Sequence, residues 1–410
     1  MPLSAVSILA RERLIAAAAE LIATRGVRSV TARTLAEVTG QSASAVNYHF
    51  EGREGLLAAT FDAAAAEASA WRAGWVSTLS ADPPREVFPG WFLALTMERV
   101  SSRTAFLVLR ELRHQAARSP VHRAWARREA EAADHFWATA LGRFDLPPGA
   151  AGACADYTEA VLGIHGGPPD HPDQTAWLIE TTRRFCARLA GERGPAPGWD
   201  GWRQLARGRG GAAIPPGLTA APPSALRIAA AAAGVLGREG MEGLTHRAVA
   251  AEVGLSLAAV SGHFPSRASL VRAAFDHLIA SIQNVRSGVA PDLAVRRPLV
   301  DVAAEVAEAL FDDEGAASPG LLALDELLTA AIREPDLRRE AEDLRASRGE
   351  NSAKLLDGIE HVTTQADGLD AHILSIATTG AMRSAYAQEP AARRPWLAAR
   401  LTASINTLFG

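Results

Sequence analysis

Four polar side chains with hydrogen-bonding capacity stand in one short stretch of the chain: Gln41, Ser42, Ser44 and Asn47. Gln and Asn carry a donor beside an acceptor, which matches the edge that adenine presents in the major groove of DNA. Ser is more permissive and pairs with several bases. The stretch therefore has the chemistry needed to read base edges in double-stranded DNA.

Two residues upstream of this stretch are suited to the phosphate backbone of DNA. Thr31 is a good N-cap for a short helix, and Arg33 lies in the first turn of that helix. The free N–H groups at a helix N-terminus attract anions, and the Thr31 hydroxyl adds a further donor. These residue types predict a second set of DNA contacts beside the base-reading stretch.

Helical periodicity supplies the elements that must position these side chains. Apolar residues recur three and four positions apart, and no convincing strand alternation occurs, which predicts an all-α fold. Thr31 caps a predicted helix over 32–38, Gly40 marks a tight turn, and Ser42 caps a predicted helix over 43–50. A short helix, a turn with Gly and a second short helix form a helix-turn-helix, whose second helix enters the major groove.

The chain repeats this unit. When the sequence is shifted by 214 positions, residues 13–62 fall on 227–276 without a gap, and about 20 of the 50 pairs are identical. A weaker echo at an offset of 215 aligns Leu109, Glu111, Leu112 and Pro120 with Leu324, Glu326, Leu327 and Pro335. The corresponding helix-turn-helix is predicted at 246–252 and 257–264.

The repeat and a Gly- and Pro-rich stretch between the copies predict the domain organisation. We expect a first helix-turn-helix domain at 1–62, a first helical body at 63–190, a linker at 191–223, a second helix-turn-helix domain at 224–276 and a second helical body at 277–410. The linker is interpreted as a solvated tether. Its arginines, Arg193, Arg203, Arg207 and Arg209, leave open an arm that touches DNA phosphates.

Both copies resemble a known family at this point. The segments "GVRSVTARTLAEVTGQSASAVNYHFEGREGLLAATF" and "GMEGLTHRAVAAEVGLSLAAVSGHFPSRASLVRAAF" resemble the signature of the TetR family of transcription regulators. The resemblance implies two tandem TetR-like helical units of about nine helices each, with a DNA-binding head and a ligand-sensing and dimerisation body. It also implies a four-helix bundle near 153–166, 174–190, 368–387 and 392–409, so that one chain forms an intrachain pseudo-dimer. Further homodimerisation is left open.

The resemblance adds three DNA contacts to the first head. Tyr48 and Arg53 match positions at which family members hold phosphates, and His49 is a third candidate. His49 is equally well explained by packing between two helices, and Phe50 is expected to pack. The family's usual mode implies a repressor that occludes a promoter until a ligand separates or tilts the heads.

The second head departs from the pattern of the first. Gly262 stands where the first head has Tyr48, and Leu255 stands where it has Gln41. The remaining polar candidates for DNA contact are Thr245, His246, Arg247, Ser256, Ser261, His263 and Arg267. Because two unlike heads need not read a palindrome, we expect an imperfect or asymmetric operator whose specificity is dominated by the first head.

Aromatic residues are concentrated in the first half and the linker, which together hold eight of the nine tryptophans. Ligand pockets are mostly apolar and aromatic with a few polar groups. This composition makes five residues of the first body candidates for binding a small apolar or aromatic effector: Trp91, Phe92, Phe106, His114 and Trp137. The alternative is ordinary core packing. We expect effector sensing mainly in the first body and scaffolding in the second.

Composition excludes several other classes of protein. The chain has 410 residues, 48% of them hydrophobic, and a formal net charge of -4, which argues against bulk nucleic-acid binding. It lacks an apolar run long enough for a membrane helix, and its N-terminus does not resemble a signal peptide. Two cysteines cannot form a disulfide framework, which favours the cytoplasm.

No catalytic motif stands out in the sequence, so we expect neither an enzyme nor a cofactor. Metal binding by His165, His171 and Asp173 is conceivable, but these residues are better explained as part of a Pro-rich loop, and no metal site is expected. The serious alternative is a ligand- or partner-binding helical module whose heads have degenerated and no longer bind DNA specifically.

Overall fold

The computed structural model describes residues 5–101, 104–165, 172–195, 221–288, 296–334, 337, 342, 345, 348–360, 362 and 366–410. Within these residues each half of the chain contains nine α-helices. The first half comprises α1 (Ala5–Arg25), α2 (Ala32–Thr39), α3 (Ala45–Phe50), α4 (Arg53–Ser77), α5 (Phe88–Ser101), α6 (Thr104–Arg118), α7 (Arg123–Arg143), α8 (Ala151–Ile164) and α9 (Pro172–Leu189). The fold is all-α, as the sequence predicts, and the described residues form only two isolated β-bridges.

The second half follows the same order. Its helices are α10 (Pro223–Glu239), α11 (His246–Val253), α12 (Leu257–His263), α13 (Arg267–Gly288), α14 (Leu299–Leu310), α15 (Pro319–Arg333), α16 (Glu350–Asp357), α17 (Gly368–Ala385) and α18 (Pro390–Phe409). Most of the predicted linker, including Arg203, Arg207 and Arg209, lies outside the described residues. Arg193 is described, and its Nε donates to the main-chain oxygen of Gly410 at 3.1 Å.

Local capping sets the boundaries of the helices in each head. The Thr31 hydroxyl accepts from the Thr34 N–H at 3.1 Å, and Gly40 ends α2 in the left-handed region at φ 67°. The predicted start of α3 at residue 43 is wrong by two residues. The Ser42 hydroxyl lies 3.0 Å from the Ser44 hydroxyl, and neither residue caps the helix through its side chain, so α3 begins at Ala45.

The two halves meet in a four-helix bundle formed by α8, α9, α17 and α18, close to the residues expected from the resemblance. Tyr157 and Phe185 of the first half share one apolar core with Ile373, Ile405 and Phe409 of the second half. A Cβ atom at Gly380 would collide with the main-chain oxygen of Asp156. Glycine is therefore required at 380 for α17 to cross α8 so closely, and the chain is folded as an intrachain pseudo-dimer.

Each head rests on one helix of its own body. The first head packs Leu21, Phe50 and Phe61 against Leu109 and Leu112 of α6 in a single apolar cluster. The second head packs in the same way on α15, with Leu236, Val260 and Phe275 against Leu327 and Leu328. Over the described residues, no helix combines the length and the apolar character needed to span a membrane.

Of the three residues considered for a metal site, only His165 has a described side chain. Burial and nearby Arg345 lower the pKa of His165 well below its usual value. His171 and the side chain of Asp173 lie outside the described residues.

Candidate nucleic-acid interface

The reading helix α3 divides sharply into a buried and an exposed face. Val46 and Phe50 are buried in the core of the head, whereas Asn47 and Tyr48 are exposed. The Tyr48 side chain is 77% exposed, which is high for an aromatic residue. His49 is half-buried, with its ring 4.8 Å from that of Tyr48 and 6.2 Å from that of Phe50. Asn47 and Tyr48 therefore share an open surface, while His49 borders the core.

Four other predicted DNA contacts of the first head are also exposed: Thr31, Arg33, Ser42 and Ser44. The Arg33 guanidinium lies 2.9 Å from Glu37 in an ion pair whose arginine side chain is 90% exposed. Such pairs contribute about 0–1 kcal/mol to stability, so Arg33 can exchange this partner for a phosphate at little cost. Gln41 differs from the others, because its Nε2 donates to the Ala10 oxygen at 3.1 Å and fastens the turn to α1.

Arg53 and its counterpart Arg267 fasten the loop that precedes the helix-turn-helix. The Arg53 guanidinium donates to the Val27 oxygen at 2.7 Å and to the Val30 oxygen at 2.9 Å. Arg267 donates to the Met241 oxygen at 2.8 Å, and Met241 is the counterpart of Val27. Both arginines, which sequence reasoning assigns to phosphates, thus have a positioning role that the sequence did not reveal.

The second head has the same helix arrangement with one additional side-chain cap. The Thr245 hydroxyl accepts from Ala248 N–H and the Ser256 hydroxyl from Ala259 N–H, both at 3.1 Å. Because Ser256 is a working cap, α12 begins immediately after it at Leu257. The second helix-turn-helix is therefore an ordered unit with regular helix ends.

Several polar candidates of the second head are occupied within the protein. His246 Nε2 lies 2.6 Å from the main-chain oxygen of Phe264, and His263 Nε2 lies 3.0 Å from the Ser224 hydroxyl. Arg247 is exposed and Ser261 is half-buried. Since His246 points at the end of α12, the surface of the second head offers fewer polar groups for base contacts than that of the first head.

Comparison with known proteins bears directly on these two heads. The family model described as "Bacterial regulatory proteins, tetR family" matches residues 14–60 and again residues 228–274. Both matches run from the first helix of a head into its fourth helix, and so cover the geometry described above. The chain therefore contains two tandem DNA-binding domains of the tetR family, which supports a DNA-binding regulator of transcription. No curated protein matches the chain.

Three of the five residues predicted to bind a ligand lie together in the first body. Trp91, Phe92 and Trp137 are buried, with ring centroids 4.9 Å apart for Phe92 and Trp137 and 6.0 Å apart for Trp91 and Trp137. They belong to a cluster of packed aromatic rings that also contains Phe136 and Phe144.

The other two predicted ligand residues lie elsewhere. Phe106 packs against Trp71 at 5.0 Å, with the Arg99 guanidinium 4.2 Å from its ring centre. His114 Nε2 lies 2.5 Å from Asp325 Oδ2, at the junction of the two halves. The five residues therefore do not line one space, because burial in the pseudo-dimer interface separates His114 from the aromatic cluster.

A small cavity borders Trp137 together with Trp71, Phe136 and the charged groups of Arg99 and Glu159. Its free volume is about 20 Å³, which is room for roughly one water molecule. Burial alone would raise the pKa of Glu159, but nearby Arg113 and Arg99 outweigh burial and hold this pKa at about 2. An ionised carboxylate and its arginines thus form one wall of the cavity, a feature that sequence reasoning missed.

Proposed function

We propose that this regulator is a repressor that binds an imperfect palindromic or asymmetric operator through two unlike heads of one chain. It occludes a promoter in its DNA-bound form and acts in the cytoplasm, without a catalytic step. The proposal rests on a difference between two helix-turn-helix units that share the same helix arrangement. Asn47 and Tyr48 stand exposed on α3, whereas the same positions on α12 hold Ser261 and Gly262.

The contrast matters because base readout depends on side chains, while the helix frame only presents them. Asn can make a paired contact with adenine that Ser cannot reproduce, and a good paired contact discriminates by about 1–3 kcal/mol. Tyr48 adds a phosphate donor that Gly262 lacks. The first head therefore supplies most of the specificity, and the second head contributes mainly phosphate contacts through Thr245 and Arg247.

Binding by full-length protein to DNA from its own upstream region tests this proposal. Asn47→Ala should weaken binding about tenfold or more, and the matched change Ser261→Ala should weaken it less. Footprinting should show two half-sites of different sequence. A perfect palindrome with equal losses from both variants would contradict the proposal.

The same binding assay addresses the alternative in which the heads have degenerated. If several phosphates are neutralised, the binding constant must fall steeply as salt is raised. Full-length protein that binds no upstream DNA, or binds it without salt dependence, would favour the partner-binding module instead.

We also propose that a small apolar or aromatic effector relieves repression by entering the first body beside Trp137. The support is the aromatic wall of the cavity and its few charged groups, which is the composition of small-molecule sites. Since the free volume is about 20 Å³, the effector must push the surrounding helices apart. That movement would be transmitted to the heads through α6, which contacts both α1 and α4.

Tryptophan fluorescence during titration of candidate effectors tests the effector site. Trp137→Phe preserves an aromatic ring and should remove most of the signal change. Trp396→Phe, in the second half, is the matched control and should leave the change intact. An unchanged fluorescence response in Trp137→Phe would show that the effector binds elsewhere.

A further inference from the structure

Arg110 of α6 and Asp325 of α15 occupy equivalent positions in the two halves, related by the offset of 215. The structure places them against each other: Arg110 Nη2 lies 3.0 Å from Asp325 Oδ1, and both side chains are buried. A residue contacts its own counterpart only where the axis that relates two halves passes between them. This pair therefore marks the pseudo-two-fold axis of the molecule.

A second pair of equivalent residues borders the first. His114 and Thr329 are counterparts, and each contacts the opposite member of the axial pair. His114 Nε2 lies 2.5 Å from Asp325 Oδ2, and Arg110 Nε donates to the Thr329 hydroxyl at 2.6 Å. At the axis, the first half thus presents basic side chains and the second half presents a carboxylate with a hydroxyl.

Two ion pairs farther from the axis carry no such distinction. Arg118 and Glu111 of the first half are matched by Arg333 and Glu326 of the second half. The pairs they form are reciprocal, with Arg118 2.6 Å from Glu326 and Arg333 3.0 Å from Glu111. Two copies of either half could make these same pairs, so these two ion pairs do not distinguish one partner from another.

We propose that the axial residues commit the first half to the second half as its partner and prevent it from pairing with another first half. In a pair of first halves, Arg110 would face a second Arg110 and a second His114 with no axial carboxylate. Like charges buried together strongly disfavour association, and the buried carboxylate of Glu159 in the first half is already paired with Arg99 and Arg113.

The packing around Arg110 supports this commitment. A Cβ atom at Gly163 of α8 would collide with the Arg110 guanidinium, so glycine there makes room for the arginine to reach the axis. The second half is less restricted in its choice of partner, because Asp325 has a counter-charge within its own half. Arg383 of α17 donates to Asp325 at 2.9 Å. The barrier to self-pairing therefore lies in the first half.

This inference goes beyond the proposed function, because it concerns assembly and holds with or without DNA. Every complete bundle must contain one head of each kind. A second chain that joins through this bundle must exchange halves, which again pairs unlike heads. The chemistry at the axis thus enforces the unlike pair of heads from which an asymmetric operator would follow.

Native mass spectrometry of cleaved full-length protein tests the proposal. A protease site is inserted between residues 196 and 220, the folded chain is cut there, and labelled and unlabelled samples are mixed in urea until their halves have exchanged. After return to buffer, statistical pairing would give about half unlike pairs. We expect unlike pairs almost exclusively.

Two variants of the full chain make the test specific. Arg110→Met removes the axial charge at similar size and should allow pairs of first halves to appear. Arg118→Met removes an off-axis pair and should leave the unlike pairing as strict as in the parent protein. The proposal is overturned if the parent protein forms pairs of first halves, if its halves remain apart, or if Arg110→Met changes nothing.

Discussion

Arg118 and Arg333 occupy equivalent positions in the two halves, and each crosses to hold the first helix of the opposite head. Arg118 Nη2 donates to the Gly237 oxygen of α10 at 3.1 Å, and Arg333 Nε donates to the Ala23 oxygen of α1 at 3.0 Å. Ala23 and Gly237 are themselves counterparts, two residues before the ends of their helices. Each head is therefore held by the body of the other half, which links the spacing of the heads to the bundle.

The first prediction concerns that spacing. Arg118→Met combined with Arg333→Met should loosen both heads, because their main-chain contacts and the ion pairs to Glu326 and Glu111 are lost together. Losing one partner of a largely buried ion pair should cost about 3 kcal/mol of unfolding free energy. Gel shifts with operators lengthened or shortened by one or two base pairs should show reduced affinity and greater tolerance of altered spacing.

Arg183→Met is the matched control for this prediction. Arg183 lies on the surface of α9 with its side chain 66% exposed, in a loose pair with Glu180. It should leave both stability and spacing preference unchanged. If the double variant discriminates between spacings as strictly as the parent protein, the crossing arginines do not set the distance between the heads.

The second prediction is that Gly262→Tyr gives the second head the phosphate donor that it lacks relative to the first head. Gly262 lies in α12 with open space where a side chain would project. Gly262→Tyr should raise affinity for the operator about fivefold, because it recreates the position of Tyr48 and adds a hydrogen bond to phosphate. Titration of labelled operator DNA measures this gain.

Gly262→Ala separates the new contact from helix stability. Removing glycine from a helix should stabilise the second head by about 1 kcal/mol in Gly262→Ala and by less in Gly262→Tyr. If Gly262→Ala raises the affinity as much as Gly262→Tyr does, the gain comes from the helix and the tyrosine position makes no contact.

The third prediction is a loss of stability in acid through His372. This residue is buried on α17, where its ring stacks on that of Trp177 at 5.1 Å. Burial, aided by nearby Arg348, lowers the pKa of His372 from 6.5 to about 3. Below pH 6.5 His372 binds a proton in the unfolded chain but not in the folded protein. The free energy of unfolding therefore falls as the pH drops. The loss at pH 5, relative to pH 8, should be about 2 kcal/mol.

Urea unfolding of the parent protein and of His372→Phe at both pH values measures this loss. Phenylalanine keeps a ring against Trp177 but cannot be protonated, so the variant should lack about 2 kcal/mol of the acid sensitivity. Other groups, such as Asp156, whose pKa burial raises to about 6, titrate in both proteins and cancel in the comparison. Equal losses in the two proteins would rule out His372 as the source.

Sequence patterns predicted the heads well because the determining interactions are local. Thr31 and Thr245 cap the helices that follow them by accepting from N–H groups three residues on. Gly40 and Gly254 adopt the left-handed conformation at the predicted turns. The start of α3 was missed because the Ser42 and Ser44 hydroxyls bond to each other, a competition between short-range contacts that composition does not resolve.

The candidate sites were harder to predict, because tertiary contacts decide where polar side chains point. His246 faces the end of α12, and His114 faces Asp325 across the pseudo-dimer interface. The opposite charges at Arg110 and Asp325 were visible in the repeat at the offset of 215. The role of these charges in pairing the halves could be inferred only from the structure, in which equivalent positions of α6 and α15 are in contact at the axis.

If one chain reads DNA through two unlike heads, its operator should consist of two unlike half-sites. Purified full-length protein can be used to select bound sequences from a random DNA library. Two enriched half-sites that differ in sequence are expected at a fixed spacing, and the half-site read by Asn47 should carry more information. Enrichment of a perfect palindrome, or no enrichment at all, would contradict this prediction.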